Sequence, residues 1–195
     1  MKKLIIATLL ATAFSLPATA ALKNGEKAPD FTARASLDGK QFDFSLADAL
    51  KKGPVVVYFY PAAYTPGCNM EAHEFAVAKE KFDVAGATII GVSQDNIERL
   101  VEFSSDPAYC AGKFPVASDA KGEISKAYNL SVRVREEGSK DTKGRDLSKR
   151  SSTERTTFVI GKDGQIVKTL SSADDAIKAS DHAEKSLEVL ASLKK

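Results

Sequence analysis

Cysteine is scarce in this chain: two in 195 residues, beside two histidines, two methionines and no tryptophan. Two thiols cannot make a disulfide scaffold or a four-thiolate zinc site. Glycine at 12 and proline at 7 are too few for collagen-like or low-complexity sequence. A surplus of one charge is missing as well. Lysine and arginine number 28 and aspartate and glutamate 26, and two of the 28 lie in residues 1–20, where there is no acid. The rest of the chain therefore balances at 26 of each sign, without the basic surplus of a nucleic-acid binder. Apart from Leu4–Phe14, no apolar run approaches membrane length. What is present, 43% hydrophobic and 28% charged residues, suits one ordinary globular domain with a core of its own.

The first twenty residues read as a secretory signal peptide. Met1-Lys2-Lys3 is a basic start, Leu4–Phe14 is apolar but for Thr8 and Thr12, Pro17 breaks the run, and Ala18-Thr19-Ala20 offers small residues for cleavage. The apolar stretch falls short of the about 20 residues that span a bilayer. The expectation is an exported protein without stable membrane insertion, placed in the bacterial periplasm, where disulfides persist. Residues 21–195 then form a single domain.

Hydrophobic periodicity organises that domain. Phe31–Arg34 and Lys40–Phe44 flank Leu37-Asp38-Gly39, a hairpin signal. Ser45 can cap a short helix through Leu50, closed by Gly53. Pro54–Tyr60, without polar alternation, predicts a central strand buried on both faces. Pro61 ends it, residues 62–67 form a loop, and a helical pattern runs to about Val84. Ala87–Val92 is a second buried strand. Asp95 or Asn96 can cap the next helix, on which Ile97, Leu100 and Val101 share a face. Phe114–Ala117 is a short strand and Lys121–Tyr128 a helix. Residues 131–154 break the rhythm: a polar insertion with charges of both signs, read as a long hairpin or loop making a solvated excursion. Thr156–Ile160 and Gln165–Lys168 are strands joined at Lys162-Asp163-Gly164. A last helix carries Ala183, Leu187, Leu190 and Leu193 on one face. The order predicts an α/β fold, a three-layer sandwich with a central mixed sheet flanked by helices.

Chemistry concentrates in Tyr60-Pro61-Ala62-Ala63-Tyr64-Thr65-Pro66-Gly67-Cys68. A buried strand ends, a loop turns, and Cys68 falls in the first turn of a helix. A thiolate there meets unpaired backbone N–H groups and the positive end of the helix dipole, and both favour the anion. Thr65, three residues earlier, can bring its hydroxyl beside the sulfur, and Gly67 permits close approach to the backbone.

With these residues the sequence resembles the peroxiredoxins, thiol peroxidases of the thioredoxin fold. Pro61-x-x-x-Thr65-x-x-Cys68 matches their active-site motif, Gly25-x-x-Ala28-Pro29-Asp30-Phe31 their opening, and Arg155–Ile160 the strand that carries their catalytic arginine. Thr65-Pro66-Gly67-Cys68 is most similar to the bacterioferritin-comigratory, or PrxQ-like, subgroup. The resemblance implies a thioredoxin-like sandwich and an antioxidant peroxidase that needs no cofactor or metal. Its substrate would be a hydroperoxide, its electron donor an external thiol or thioredoxin-like protein, and its state a monomer or homodimer. It implies that Cys68 attacks the peroxide and becomes a sulfenic acid, that Arg155 holds thiolate and peroxide, that Thr65 positions the peroxide, and that Pro61 shields the thiolate. Gly67 and Cys68 would supply backbone N–H groups, and Glu71 would orient Arg155.

The sequence departs from the subgroup where some members carry a second cysteine five residues after the first: here that position is His73, given no role. His182 likewise shows no partner in sequence. Cys110 is the one candidate to resolve the sulfenic acid within the chain, in a loop marked by Pro107 and Gly112. Four rival readings exist. A thioredoxin-type oxidoreductase needs Cys-x-x-Cys, which Cys68-Asn69-Met70-Glu71 lacks. A glutathione peroxidase lacks its usual tryptophan here. An exported, non-catalytic thioredoxin-fold binding protein, or a thiol-based peroxide sensor, would share the scaffold.

Overall fold

A computed structural model describes residues 20–193. The signal segment expected at residues 1–20 lies outside the described residues but for Ala20. The chain order is β1 (Thr32–Leu37), β2 (Lys40–Ser45), α1 (Leu46–Lys52), β3 (Val55–Phe59), α2 (Pro66–Val77), α3 (Lys79–Ala85), β4 (Thr88–Ser93), α4 (Ile97–Ser105), β5 (Val116–Ser118) and α5 (Glu123–Ala127). There follow β6 (Val132–Val134), β7 (Ser151–Thr153), β8 (Thr156–Ile160), β9 (Ile166–Ser171) and α6 (His182–Ser192), which a short 3-10 turn, Ala179–Asp181, precedes. Seven strands make one sheet in the order β2-β1-β5-β4-β3-β8-β9. Pairing is parallel for β3 with β4 and for β4 with β5, and antiparallel elsewhere, so the sheet is mixed.

β3 is central because its sequence is apolar on both faces. Val56 and Tyr58 pack into one core with α2, α3, α4 and α6, through Phe75, Phe82, Phe103 and Leu190. Val55, Val57 and Phe59 face the other core, which Leu46 and Ala49 of α1 help to close. Such two-sided burial needs helices on both sides of the sheet. Gly91 on β4 leaves room for the Tyr58 ring, whose nearest atom would lie 2.6 Å from an added Cβ.

Two local expectations change, and a choice left open is decided. The helix expected to continue to Val84 is two helices that break at Ala78, whose φ of −81° and ψ of −2° end α2. Alanine favours a helix, so nothing in the residue itself marks the break. The cap of α4 is Asn96, whose side chain accepts from the Arg99 N–H at 3.3 Å, and this frees Asp95 for another contact. The polar insertion is a solvated excursion only along its arms, where the β6 residues are exposed. It is a hairpin in which Val132–Val134 pairs with Ser151–Thr153, and its tip folds back onto the protein, with Leu147 fully buried and Asp141 nearly so. Salt bridges at the tip, which no local periodicity reports, hold it there.

Candidate active site

The loop from β3 into α2 places Cys68 as expected. Thr65 caps the helix with extended backbone, Pro66 takes the first helical position, where its missing N–H costs nothing, and Cys68 follows in the first turn. Cys68 is 1% exposed. The antiparallel pairing of Thr156 with Phe59 brings Arg155, just before β8, alongside the chain as it leaves β3. Its Nη2 donates to Cys68 Sγ at 3.3 Å. Its Nη1 donates to Glu71 Oε2, one turn farther along α2. The guanidinium therefore bridges the thiol and a buried carboxylate, and its planar fork makes both contacts at fixed angles.

Gly67 serves this bridge. A Cβ there would lie 3.1 Å from Arg155 Nη2, so the missing side chain makes room for the guanidinium over the first turn. The sequence suggested that this glycine admits substrate; the close neighbour is Arg155. Thr65 is half-buried, and its hydroxyl donates to the Ala62 carbonyl at 2.9 Å instead of capping the helix.

Beneath the bridge lies His182, a residue without a role in the sequence reading. It is fully buried, with Nδ1 2.8 Å from Thr157 Oγ1, Nε2 2.9 Å from Ser172 Oγ, and Nδ1 3.8 Å from Glu71 Oε1. Burial, helped by the Arg155 charge, lowers its pKa to about 4, so it is neutral at physiological pH. Burial likewise pushes Glu71 up to about 8, against the pull of Arg155. The histidine fills the space behind the Glu71 carboxyl group as a neutral ring. His73, by contrast, is exposed, with Nδ1 3.3 Å from the Ala108 carbonyl.

The loop itself is clasped from outside. Tyr64 is a buried, non-glycine residue with φ of 59°, a conformation that costs roughly 1–2 kcal/mol. Neighbours hold it on every side. Asp95 accepts from the Ala63 N–H at 2.7 Å, and Arg99 Nη2 donates to the Ala63 carbonyl at 2.6 Å. Arg99 also pairs with Asp95 at 3.1 Å and with Asp141 of the hairpin tip at 2.7 Å. The Thr142 N–H donates to the Tyr64 carbonyl at 2.7 Å, while Lys143 and Arg145 lie over the Tyr64 ring at 3.9 and 4.5 Å. Asp95 and Arg99, like Asp141 and Arg145, pair four residues apart, but the contacts that join these two pairs to each other and to Ala63 have no signature in the sequence.

Cys110 sits in the turn after α4, is fully buried, and belongs to the same apolar cluster as Cys68; both are free thiols. Burial pushes its pKa well up, and Asp106 adds to the effect. Tyr109 beside it packs edge-on against Tyr64 with ring centres 5.7 Å apart, so an aromatic contact joins the two cysteine segments. Pro61 is half-buried and shares a cavity with Arg155.

Comparisons with known proteins place the chain in a family. Residues 24–169 match the AhpC/TSA family. A putative peroxiredoxin of Mycobacterium tuberculosis is 35% identical over 167 residues, which cover 86% of this chain and 94% of that protein. Peroxiredoxin Bcp of Xanthomonas campestris is 33% identical over 140 residues, 72% of this chain and 76% of its own. The crystal structure of peroxidoxin BcpB from M. tuberculosis superposes with a TM-score of 0.72 at 29% identity, over 89% of this chain and 99% of that one. Peroxiredoxin Q of X. campestris does so with a TM-score of 0.64 at 28% identity, over 83% and 91%.

Proposed function

Because this chain belongs to the AhpC/TSA family and is a peroxiredoxin of the Bcp/PrxQ-like type, a thiol-dependent peroxidase, we propose that it reduces hydrogen peroxide and organic hydroperoxides at Cys68 in antioxidant defence. One contact carries the assignment of the residue: the Arg155 guanidinium donates to Cys68 Sγ at 3.3 Å and is itself held by Glu71. A cation there favours thiolate and can also bind a peroxide oxygen.

The Cys68 thiolate attacks one peroxide oxygen. The S–O bond forms as the O–O bond breaks, and the departing hydroxide or alkoxide takes a proton to leave as water or alcohol. Cys68 becomes a sulfenic acid. Arg155, with the backbone N–H groups at the start of α2, stabilises the charge that moves onto the departing oxygen. Thr65 turns its hydroxyl from the Ala62 carbonyl toward the peroxide, and Pro61 limits water at the sulfur. Glu71 keeps the guanidinium in plane with the reaction.

In the second half, the Cys110 thiol attacks the Cys68 sulfenic acid. A disulfide forms, water leaves, and an external dithiol restores both thiols. A bridge needs Cα atoms within about 7 Å, and the two cysteines come from separate segments, so the first turn of α2 or the turn at 106–112 must move. The basic and apolar start of the sequence supports export to the periplasm, with the donor met outside the cytosol.

The test is direct. Reduced protein given one equivalent of hydrogen peroxide loses both alkylatable thiols and runs as a monomer without reductant, whereas Cys110→Ser accumulates sulfenic Cys68. Survival of the Cys68 thiol for minutes overturns the assignment. One thiol left in the wild type shows that Cys110 does not resolve, and a dimer band that reductant abolishes shows that the bridge joins two chains.

A further inference from the structure

The arms of the 131–154 hairpin form one wall of the cavity that Pro61 and Arg155 share, a space of about 400 Å³. That is far more than hydrogen peroxide fills, and within the range of organic ligand sites. β6 and the residue after it send Arg133 and Arg135 into this wall. Two residues apart on extended chain, they share a face, while Val132 and Val134 alternate with them and are exposed. The backbone under them is fixed: Arg133 is paired with Ser152, the Arg135 N–H donates to the Arg150 carbonyl at 2.9 Å, and the Arg135 carbonyl accepts from the Lys149 N–H at 3.2 Å.

The two guanidinium groups lack the partners that the other arginines near the site possess. Arg155 is engaged by Glu71 and Cys68, Arg99 by Asp95 and Asp141, and Arg145 by Asp141 and Glu102. Among the described residues neither Arg133 nor Arg135 has a carboxylate partner, and Nε of Arg135 is buried without an acceptor. Glu154 is the one carboxylate lining the cavity, and its Oε1 accepts from the Ser131 N–H at 3.2 Å. A buried donor left unpaired is costly unless a ligand or water completes it.

We propose that Arg133 and Arg135 form a subsite for the carboxylate of an acidic organic hydroperoxide, whose peroxide end reaches Cys68 past Arg155 and Pro61. The proposal rests on the peroxidase reading and adds a substrate class to it. A planar fork meets a carboxylate through two parallel hydrogen bonds, so the anchor orients the substrate as well as attracting it. The chemistry at sulfur is unchanged: the acidic hydroperoxide leaves as the corresponding hydroxy acid.

The experiment compares a hydroperoxy alkanoic acid with its own methyl ester in single-turnover oxidation of the reduced protein, so that no external reductant takes part. The wild type is expected to react with the acid about tenfold faster than with the ester at low salt, with the ratio falling as salt rises. In Arg133→Gln/Arg135→Gln the ratio is expected to approach one, and in Arg133→Lys/Arg135→Lys to lie between. The ester is the internal reference in each protein, so a general loss of folding does not imitate the result. Equal rates for acid and ester in the wild type, or a ratio that persists in the glutamine variant, overturn the subsite. Failure of wild-type Cys68 to react with hydrogen peroxide at all brings down the peroxidase reading instead.

Discussion

Cys68 and Cys110 are both buried, both free, and packed into one apolar cluster, yet their surroundings differ in sign. Cys68 has the first turn of α2 below it and the Arg155 guanidinium 3.3 Å from its sulfur. Cys110 has a turn, apolar neighbours and Asp106, and its thiol is pushed well up. Burial removes water from both. Only at Cys68 does a fixed cation replace what water gave the anion. A dry thiol with a positive neighbour is a nucleophile, and a dry thiol with a negative one is inert until its surroundings open.

The largest effect should come from erasing that difference. Arg155→Ala takes the cation from Cys68 and leaves Glu71 buried without its partner. Peroxide oxidation of Cys68 is expected to slow on the order of 10²-fold or more, as when a charge-stabilising donor is removed from other active sites. Alkylation of Cys68 should slow as well, while Cys110 in the same sample stays slow. Arg155→Lys should restore the rate in part, because a point charge lacks the second arm that Glu71 holds. An unchanged rate of Cys68 oxidation in Arg155→Ala would show that the guanidinium does not support the reaction.

A smaller effect should follow from loosening the path between the two cysteines. Asp141 accepts from Arg99 Nη2 and Arg145 Nε, both at 2.7 Å, and from two backbone N–H groups. Burial opposes its charge, but these bonds together hold its pKa down at about 2. Asp141→Ala leaves Arg99 with Asp95 alone and should cost roughly 3 kcal/mol of stability. The amide of Ala63 should then exchange its hydrogen faster, and the Cys68–Cys110 bridge should form sooner after a peroxide pulse. Slower bridging in this variant would mean that the clasp assembles the resolving geometry instead of holding it apart.

The parts of this site that were legible in the sequence are those with local signatures. The strand that Pro61 ends, the helix after the loop, and the cysteine in its first turn are set by neighbours within eight residues, although the helix begins at Pro66, inside the loop expected over residues 62–67. Arg155 was found through resemblance, and β8 pairing with β3 then gives the physical reason for its position. The clasp was not legible, because Ala63, Asp95, Arg99 and Asp141 meet only when α4 and the hairpin tip fold over the loop, and none of them marks its partner. The docking of the hairpin tip is hidden for the same reason: Asp141, Lys143 and Arg145 pair with Arg99, Asp106 and Glu102, which lie far away in sequence. His182 opens a surface-patterned helix, and its burial against Thr157 and Ser172 depends on where α6 lands on the sheet.

The smallest effect should come from His182, which sharpens the comparison by testing the support under the Arg155–Glu71 bridge. Free histidine titrates near 6.5, and in the fold burial and the Arg155 charge lower this to about 4, although Asp181 and Asp175 pull the other way. Between these values the unfolded chain binds a proton that the folded chain refuses. This histidine's contribution to stability is therefore complete above pH 6.5 and is lost as pH falls through 4. Glu71, raised to about 8, works in the opposite sense: its burial is least costly while it stays protonated, and stability falls as pH rises from its unfolded value of 4.5 toward 8. His182→Asn keeps a polar side chain against Thr157 and Ser172 but removes the titration. The stability difference between wild type and His182→Asn, measured by urea unfolding, should be greatest near pH 7 and shrink steadily toward pH 4. A difference that stays constant over that range would show that the buried ring acts by shape alone.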